Sequence, residues 1–488
     1  MANRGVPTPP IEIEGDQITA RFSGVSVSEA AIAAVGDACA DVRTDDATCH
    51  EAGRDWWPIT MAWALNGEVP ARPAAVARPV DVNEVAGVLA ACNEARVPVT
   101  TAAGRSGVCG ASVPIHGGVV LDMTGMAGVI DVDDTSMLLR VKPGTFGDVL
   151  EDTLRADFGV TVGHWPQSMA LSTVGGWLAC RGAGQYSTRY GKIEDIVVGL
   201  EVALADGRVI TSGGGAPRAA TGPDLNQLFV GSEGTLGVIT EAVLRIHPLP
   251  TTDRRAAYGF ASFAEGNDAC RRILRRGATP AVLRLYDERE SRRYIEGTNV
   301  LLVLDEGDPA VIDAVMQVVA EECAGAQSLD VDFVGQWLDH RNETSALQEA
   351  YRKDLVVDTT EVSATWRALP AIYDEGVAAL KAVDGMWVAS AHQSHSYLDG
   401  ACIYFTWAGQ PTDGDKDRFY NAAWVAIMDV IAAHGGAVSH HHGMGINRAP
   451  WTPNTEVLAS LKGALDPHGI LNPGKLGLPS AFGPPPWP

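Results

Sequence analysis

Trp165-Pro166-Gln167-Ser168-Met169-Ala170-Leu171-Ser172-Thr173-Val174-Gly175-Gly176-Trp177-Leu178-Ala179-Cys180-Arg181-Gly182-Ala183-Gly184 is the stretch that decides the fold. Hydroxyls and glycines stand side by side at Ser172, Thr173, Gly175 and Gly176, and Arg181-Gly182-Ala183-Gly184 begins five residues later. A backbone without side chains can press against a large flat ligand and turn its N–H groups toward phosphate or ring carbonyls. The run Gly231-Ser232-Glu233-Gly234-Thr235-Leu236-Gly237-Val238-Ile239 repeats the theme, and Ala102-Ala103-Gly104-Arg105-Ser106-Gly107 precedes both. Turn glycines are the plain alternative. Separate small-residue runs of this kind read better as several backbone approaches to one ligand. No GxGxxG opens a helix, so the doubly wound dinucleotide fingerprint is absent.

Composition bounds the rest. The 488 residues suffice for two or three domains with their own cores. A net charge of −23 argues against nucleic acid and against a polybasic membrane anchor, so an anionic substrate needs a local cluster of Arg, Lys or His. No apolar run reaches the length of a membrane span, and MANRGVPTPP has no signal-peptide core. The eight cysteines form no CxxC pair and read as reduced, buried thiols. The expectation is a cytoplasmic protein with a small-molecule or lipid-phosphate substrate, compatible with a homodimer.

Along the chain, residues 1–69 read as an N-terminal extension, with a disordered Pro-rich start and a helix over 25–45. Residues 70–250 alternate short strands (Ala74–Ala77, Pro98–Thr100, Val119–Asp122, Val129–Val132, Leu138–Lys142) with helices at Val82–Arg96, capped by Asp81 or Asn83, and Phe146–Arg155. Asp206-Gly207 predicts a hairpin from Ile196–Ala203 to Val209-Ile210. Composition shifts after Pro248-Leu249-Pro250. Residues 251–430 alternate strands such as Ala256–Phe260 and Val300–Leu304 with charged helices, a second, α/β domain. Residues 431–488 hold a His-rich loop, a helix and a turn, and end in GPPPWP, read as loose. The class is α+β.

The three small-residue runs and the tail Leu465-Asp466-Pro467-His468-Gly469-Ile470-Leu471-Asn472-Pro473-Gly474-Lys475 together resemble the FAD-binding domain of vanillyl-alcohol oxidase and p-cresol methylhydroxylase relatives. The resemblance implies a discontinuous FAD domain carrying a cap. It also implies cofactor contacts from Ala102 to Gly107, at Pro166, Gln167, Ser168, Ser172, Thr173, Gly175 and Gly176, from Arg181 to Gly184, and at Glu233, Gly234, Thr235, Gly237, Val238 and Ile239. The match is closer to the alkyldihydroxyacetonephosphate synthase family. It rests on Tyr190-Gly191-Lys192-Ile193-Glu194-Asp195, Leu283-Arg284-Leu285-Tyr286-Asp287, Tyr351-Arg352-Lys353-Asp354-Leu355, Ala401-Cys402-Ile403-Tyr404-Phe405 and Ser439-His440-His441-His442-Gly443. One departure is Arg105, a cation where that family has a small hydroxyl; it can pair a diphosphate. The chain is also shorter around Val356–Glu361.

The resemblance makes Arg284 and Arg352 anion clamps and places His395 at the substrate. It makes Tyr404 and the loop His440, His441 and His442 the proton-moving groups at the flavin N5 face. Neutral imidazole is an acid or base near pH 7, but three consecutive residues cannot all face one way, so at most two should point into one site. A buried core Tyr, ordinary salt-bridging arginines and a surface His cluster are the plain alternatives. No metal is assigned, although His395, His441 and His442 could supply three ligands, as in flavin-dependent 2-hydroxy acid dehydrogenases. FAD is expected to be non-covalent, because the first small-residue loop has no His and His116 and His164 lack a convincing context. The resulting reading is an FAD enzyme resembling that synthase family, acting on a phosphate- or carboxylate-bearing substrate. The alternative is oxidation of a 2-hydroxy acid or alcohol.

Overall fold

The computed structural model describes residues 11–343 and 347–487. The Pro-rich start lies outside them. Val42–Arg43, Ala75–Ala77, Val119–Asp122 and Val99–Ala102 form a four-stranded sheet in that order, the last three parallel. Such a sheet needs a crossover, and Val82–Ala95 supplies it, with the Asp81 carboxylate accepting from the N–H groups of Asn83 and Glu84. The helix expected over 25–45 is instead Glu29–Ala38 and Asp46–Ala52, separated by the edge strand Val42–Arg43. A second, antiparallel sheet runs Val209–Gly213, Val197–Ala203, Val238–Arg245, Leu138–Val141, Val129–Asp133. The hairpin closes where Asp206-Gly207 placed it, with Ala203 opposite Val209.

The third sheet is antiparallel throughout, in the order Gln327–Ser328, Thr252–Phe260, Asn299–Gly307, Val282–Tyr286, Met386–Ser396, Gly400–Gly409, Val356–Thr365. Alternation divides its faces. Leu283, Leu285, Val362, Ile403 and Phe405 enter a large apolar core. The opposite face carries Arg284, Tyr286, Glu361, His392, Ser394 and Tyr404, and Tyr404 lies in register with Glu361 on one side and His392 on the other. A register shift between Ser394 and Ser396, with His395 at φ +51°, adds His395 to this polar row.

The C-terminal segment returns to the first two sheets. Leu458, Leu461 and Leu465 of helix Thr455–Leu465 pack on the core of the second sheet, while Ile470 and Leu471 are buried in that of the first. Lys462 Nζ donates to Asp466 (2.5 Å), Leu471 O (2.6 Å) and Thr235 O (2.8 Å), which locks the turn. The tail is not loose. Trp487 packs edge-on against Trp57, ring centroids 4.9 Å apart, and tilted against Trp63 at 5.4 Å. Burying a large aromatic ring outweighs the freedom that GPPPWP suggests.

Candidate active site

The small-residue loop that follows strand Val99–Ala102 rests on a segment whose role composition did not reveal. Trp56 N donates to Gly107 O (2.9 Å), and Arg54 and Arg105 share one carboxylate, Glu51, at 2.6 and 3.6 Å. Both guanidinium groups are buried. Arg105 Nε, Arg54 Nε and Nη1, and Thr101 Oγ1 are buried and lack a hydrogen-bond partner among the described residues. Unused donors of this kind fit a diphosphate. Arg105 sits at φ +49°, so the chain holds a strained turn to aim it.

Below the loop, helix Val174–Cys180 begins at Thr173, whose hydroxyl accepts from Gly176 N (3.3 Å). A Cβ on Gly176 would meet only that hydroxyl, at 3.4 Å, which leaves the space beside it open. The other glycines differ. A Cβ on Gly175 would strike Pro143, and one on Gly184 the Trp165 backbone, so these two serve close packing of the chain on itself. The Ser172 hydroxyl is spent on Ser168 O (2.9 Å) and Trp177 Nε1 (2.7 Å). Gln167 Nε2 donates to Glu343 O at 3.3 Å.

Several expected cofactor contacts have other work. The Arg181 guanidinium is half exposed and paired with Glu194 at 3.3 Å. Gly237 is packed against Val202, while Val238 and Ile239 start a core strand. The buried Glu233 carboxylate accepts from Met444 N (2.6 Å) and Gly445 N (2.9 Å), and its carbonyl accepts from Asn472 Nδ2 (2.7 Å). Burial pushes its carboxyl up to about 7 despite these donors. Glu233 thus ties its own loop to the His loop, and its side chain is not left for a cofactor. Alignment of small residues could not show this, because the partner lies some 200 positions away.

The polar sheet face supplies the rest. Tyr404 Oη lies 2.8 Å from His441 Nε2 and 3.1 Å from His395 Nε2. His440 Nδ1 and His441 Nδ1 are 2.9 Å apart. His442 turns away, its Nδ1 3.5 Å from Glu361, so two of the three loop histidines join the Tyr404 group. Burial lowers His440 and His442 to about 4, and His395 and His441 well below the ordinary value, so all four are neutral at pH 7. Burial likewise raises Tyr404 well above the usual phenol range.

Glu361 holds the His loop in place. Its carboxylate accepts from His440 N (2.5 Å), His442 N (2.7 Å), Ser439 Oγ and Arg448 Nη1 (both 3.1 Å). Burial alone would raise its pKa. The charge of Arg448, with smaller contributions from His442 and His440 when those are protonated and from the His440 N–H, outweighs that and holds it at about 2. Neither Glu361 nor Arg448 was singled out from the sequence.

Arg284 donates through Nε to Tyr286 Oη (2.7 Å), through Nη2 to His392 Nε2 (2.7 Å) and through Nη1 to Ser394 Oγ (3.4 Å). Guanidinium only donates, so His392 accepts at Nε2 and gives its Nδ1 hydrogen to Glu290, 2.9 Å away. Among the described residues no carboxylate lies within ion-pair distance of Arg284. Arg352 is elsewhere. It pairs with Glu12, with Glu349 at 2.6 Å and with Glu14 at 3.5 Å, which fastens helix Leu347–Arg352 to the N-terminal segment. The expected second clamp is therefore already neutralised and does not join Arg284.

The chain matches an FAD binding domain over residues 73–213 and the C-terminal domain of FAD linked oxidases over residues 249–476. It is 32% identical to the uncharacterized FAD-linked oxidoreductase YgcU of Escherichia coli (strain K12), covering 83% of this chain and 89% of that one. The chain belongs to the FAD-linked oxidoreductases. It is 29% identical to alkyldihydroxyacetonephosphate synthase of Trypanosoma brucei brucei (88% of this chain, 76% of that one) and 28% identical to glycolate oxidase subunit GlcD of Bacillus subtilis (86% and 92%). Among solved structures, an alkyldihydroxyacetonephosphate synthase superposes with a TM-score of 0.78 at 23% identity, covering 97% of this chain and 89% of that one. p-Cresol methylhydroxylase with substrate bound gives 0.76 at 18% identity (93% and 98%). These likenesses establish the p-cresol methylhydroxylase type of fold, and the family establishes FAD as the cofactor. No helix among the described residues is long and apolar enough to cross a membrane. All eight cysteines are free thiols, and only Cys180 is not buried.

Proposed function

We propose that this FAD-linked enzyme acts on an anionic, phosphate- or carboxylate-bearing substrate, held by Arg284 beside the Tyr404–histidine group, in the manner of the alkyldihydroxyacetonephosphate synthase family. One observation carries the reading. Arg284 is a part-buried cation whose direct partners, Tyr286, His392 and Ser394, are all neutral, with the Glu290 carboxylate reached only through His392. A guanidinium with no carboxylate in direct contact leaves its charge and its planar donors available to an anionic ligand. Residues 70–250 together with 431–488 form the cofactor-binding part in this reading, residues 1–69 precede it, and residues 251–430 form the cap.

The Ala102–Gly107 loop, Arg54, Thr173, Gly176, Gly182 and Gly234 would hold FAD, with Arg54 and Arg105 toward its diphosphate, whereas Thr235 is fully buried with its hydroxyl on Ser232 O and its carbonyl on Lys462. Bound there without a covalent link, FAD supplies an electrophilic ring able to accept electrons. The chain's own residues orient the substrate through Arg284 and exchange a proton with it at Tyr404 Oη. His395 and His441 serve as the phenol's proton partners, and packing against the sheet excludes water.

A second reading is oxidation of a 2-hydroxy acid, as the likeness to the glycolate oxidase subunit suggests. His395, His440 and His441 each offer a nitrogen within 4.8 Å of the others, a spacing that suits a divalent ion. Anaerobic addition of candidate substrates separates the two. Bleaching of the flavin spectrum by small hydroxy acids supports oxidation. Exchange of a labelled acyl chain on dihydroxyacetone phosphate esters, without net bleaching, supports the synthase-like reaction. Inertness toward both classes overturns the proposal.

A further inference from the structure

The hydrogen bonds around Tyr404 do not end at the histidines. His440 Nε2 lies 2.9 Å from Tyr397 Oη, Tyr397 Oη lies 3.3 Å from Ser187 Oγ, and Ser187 Oγ lies 2.8 Å from His395 Nδ1. Together with the His395–Tyr404, Tyr404–His441 and His441–His440 contacts, these links close on themselves. The circuit runs Tyr404, His441, His440, Tyr397, Ser187, His395 and back to Tyr404. Ser187 comes from the short helix Ser187–Tyr190, a part of the chain remote in sequence from both Tyr397 and the His loop.

Proton counting makes the closure informative. Each hydroxyl has one hydrogen, and each neutral imidazole has one N–H and one lone pair. Three hydroxyls and three neutral imidazoles therefore bring six hydrogens to six links, so every member donates once and accepts once. In one sense Tyr404 donates to His441, His441 Nδ1–H to His440, His440 Nε2–H to Tyr397, Tyr397 to Ser187, Ser187 to His395, and His395 Nε2–H to Tyr404. The opposite sense is equally complete, with every tautomer reversed. A single extra proton would leave one link with two donors and no acceptor.

We propose that Ser187 and Tyr397 complete a closed proton relay, which lets a proton leave Tyr404 by one arm and another return to it by the other. The inference rests on the reading that Tyr404 exchanges a proton with substrate. In the first sense, a proton arriving from substrate at Tyr404 Oη displaces that group's own hydrogen to His441 Nε2. His441 passes its Nδ1 hydrogen to His440 Nδ1, His440 passes its Nε2 hydrogen to Tyr397, and Tyr397 releases one to water. The return runs from Tyr397 through Ser187 and His395 to Tyr404 and so to the product, while Tyr397 regains a hydrogen from water. One proton has left and one has entered. No member carries charge at the end, and the ring stands in its opposite sense with the arms exchanged for the next turnover. No imidazole has to rotate between turnovers.

The exit is assigned to Tyr397 because the chain turns outward directly after it. Tyr397 is part-buried, as are Tyr404, His440 and His441, but it alone of these is followed by two exposed residues, Leu398 and Asp399, and Ser187 and His395 are buried. Lys192 Nζ lies 4.7 Å from the Tyr397 ring centroid, and its side chain is partly exposed.

Ser187→Ala opens the ring without touching Tyr404, and Tyr397→Phe removes the exit. In the FAD-loaded enzyme with ¹⁵N-labelled histidine, NMR at neutral pH should show His395, His440 and His441 all neutral, each with one protonated ring nitrogen. Ser187→Ala should change the tautomer balance not only of His395 but of His440 and His441, which Ser187 does not contact. An imidazolium among the three, a zinc or manganese ion on their nitrogens, or unchanged His440 and His441 signals in the variant would overturn the ring. This readout needs no turnover, so it stands apart from failure of the substrate assignment. With an active substrate, Ser187→Ala and Tyr397→Phe should each lower turnover about tenfold or more with KM unchanged and a larger solvent deuterium effect. Ser187→Thr, which keeps the hydroxyl, should restore both. Wild-type turnover and isotope effect in both variants would likewise refute the relay.

Discussion

Glu361→Gln tests how the His loop is held. The substitution preserves volume but removes the one carboxylate within ion-pair distance of Arg448 among the described residues, and both side chains are fully buried. Two routes give its size. A carboxyl held at about 2 against an ordinary 4.5 contributes at most about 3 kcal/mol at neutral pH, because His440 and His442, which add to the shift when protonated, are uncharged there. Removing one partner of a buried ion pair costs about 3–5 kcal/mol because the other charge stays behind. The sign follows from the depressed value. The contribution is complete above pH 4.5 and is lost as pH falls through about 2, so at neutral pH the wild type has all of it and the variant none. The amide also turns N–H groups toward N–H donors at His440 or His442, which loosens the loop. Urea denaturation of the FAD-loaded protein, followed by tryptophan fluorescence, measures the loss. With a slope of about 3 kcal/mol per M, the midpoint should fall by about 1 M. Pairing the change with Arg448→Met should recover most of it, because both charges then leave together. A midpoint within about 0.2 M of wild type for Glu361→Gln alone would show that the pair does not anchor the loop.

Gly176→Val should keep the fold, because only the Thr173 hydroxyl is near its Cβ, yet abolish flavin retention on gel filtration; unchanged FAD affinity would make Gly176 a packing glycine. Acid precipitation of the wild type should leave its flavin in the supernatant, and flavin retained in the pellet would show a covalent link. Tyr404→Phe should lower turnover by about 10²–10⁴-fold with FAD content and thermal midpoint nearly unchanged, while a full rate would remove the phenol from the chemistry. Arg284→Ala should weaken an anionic substrate at least tenfold, as expected for a buried charge partner worth about 2–5 kcal/mol. Arg352→Ala should leave substrate binding unaltered, since its guanidinium is already matched by Glu12, Glu14 and Glu349; a KM effect as large as that of Arg284→Ala would return Arg352 to the site.

The FAD-binding part was legible because its information is local. Ser172 to Gly184 and Ala102 to Gly107 are runs in which small residues and hydroxyls stand next to one another, and close approach of backbone to ligand demands that composition wherever the rest of the chain goes. The Asp206-Gly207 hairpin and the Asp81 cap are local in the same sense. The strand alternation around Tyr404 also identified it as turned away from Ile403 and Phe405. Which glycines face a ligand and which face a neighbouring strand was not legible. Gly175 and Gly176 are adjacent in the same motif, yet one is packed against Pro143 and the other beside open space.

Tertiary structure decided the charges and the circuit. Arg284 and Arg352 looked equivalent in sequence, and the N-terminal glutamates separate them. Glu233 became a clamp on the His loop because the chain brings Gly445 to it. Ser187, Tyr397 and Glu361 carried no signal of their own, since a lone Ser, Tyr or Glu is ordinary in any sequence. They acquire a role only where sheet register and a bulge at His395 bring remote segments within hydrogen-bond distance. Backbone propensity and small-residue spacing act over a few neighbours and can be read along the chain. Electrostatic pairing and proton connectivity depend on distances between segments hundreds of residues apart, and only the folded chain sets those.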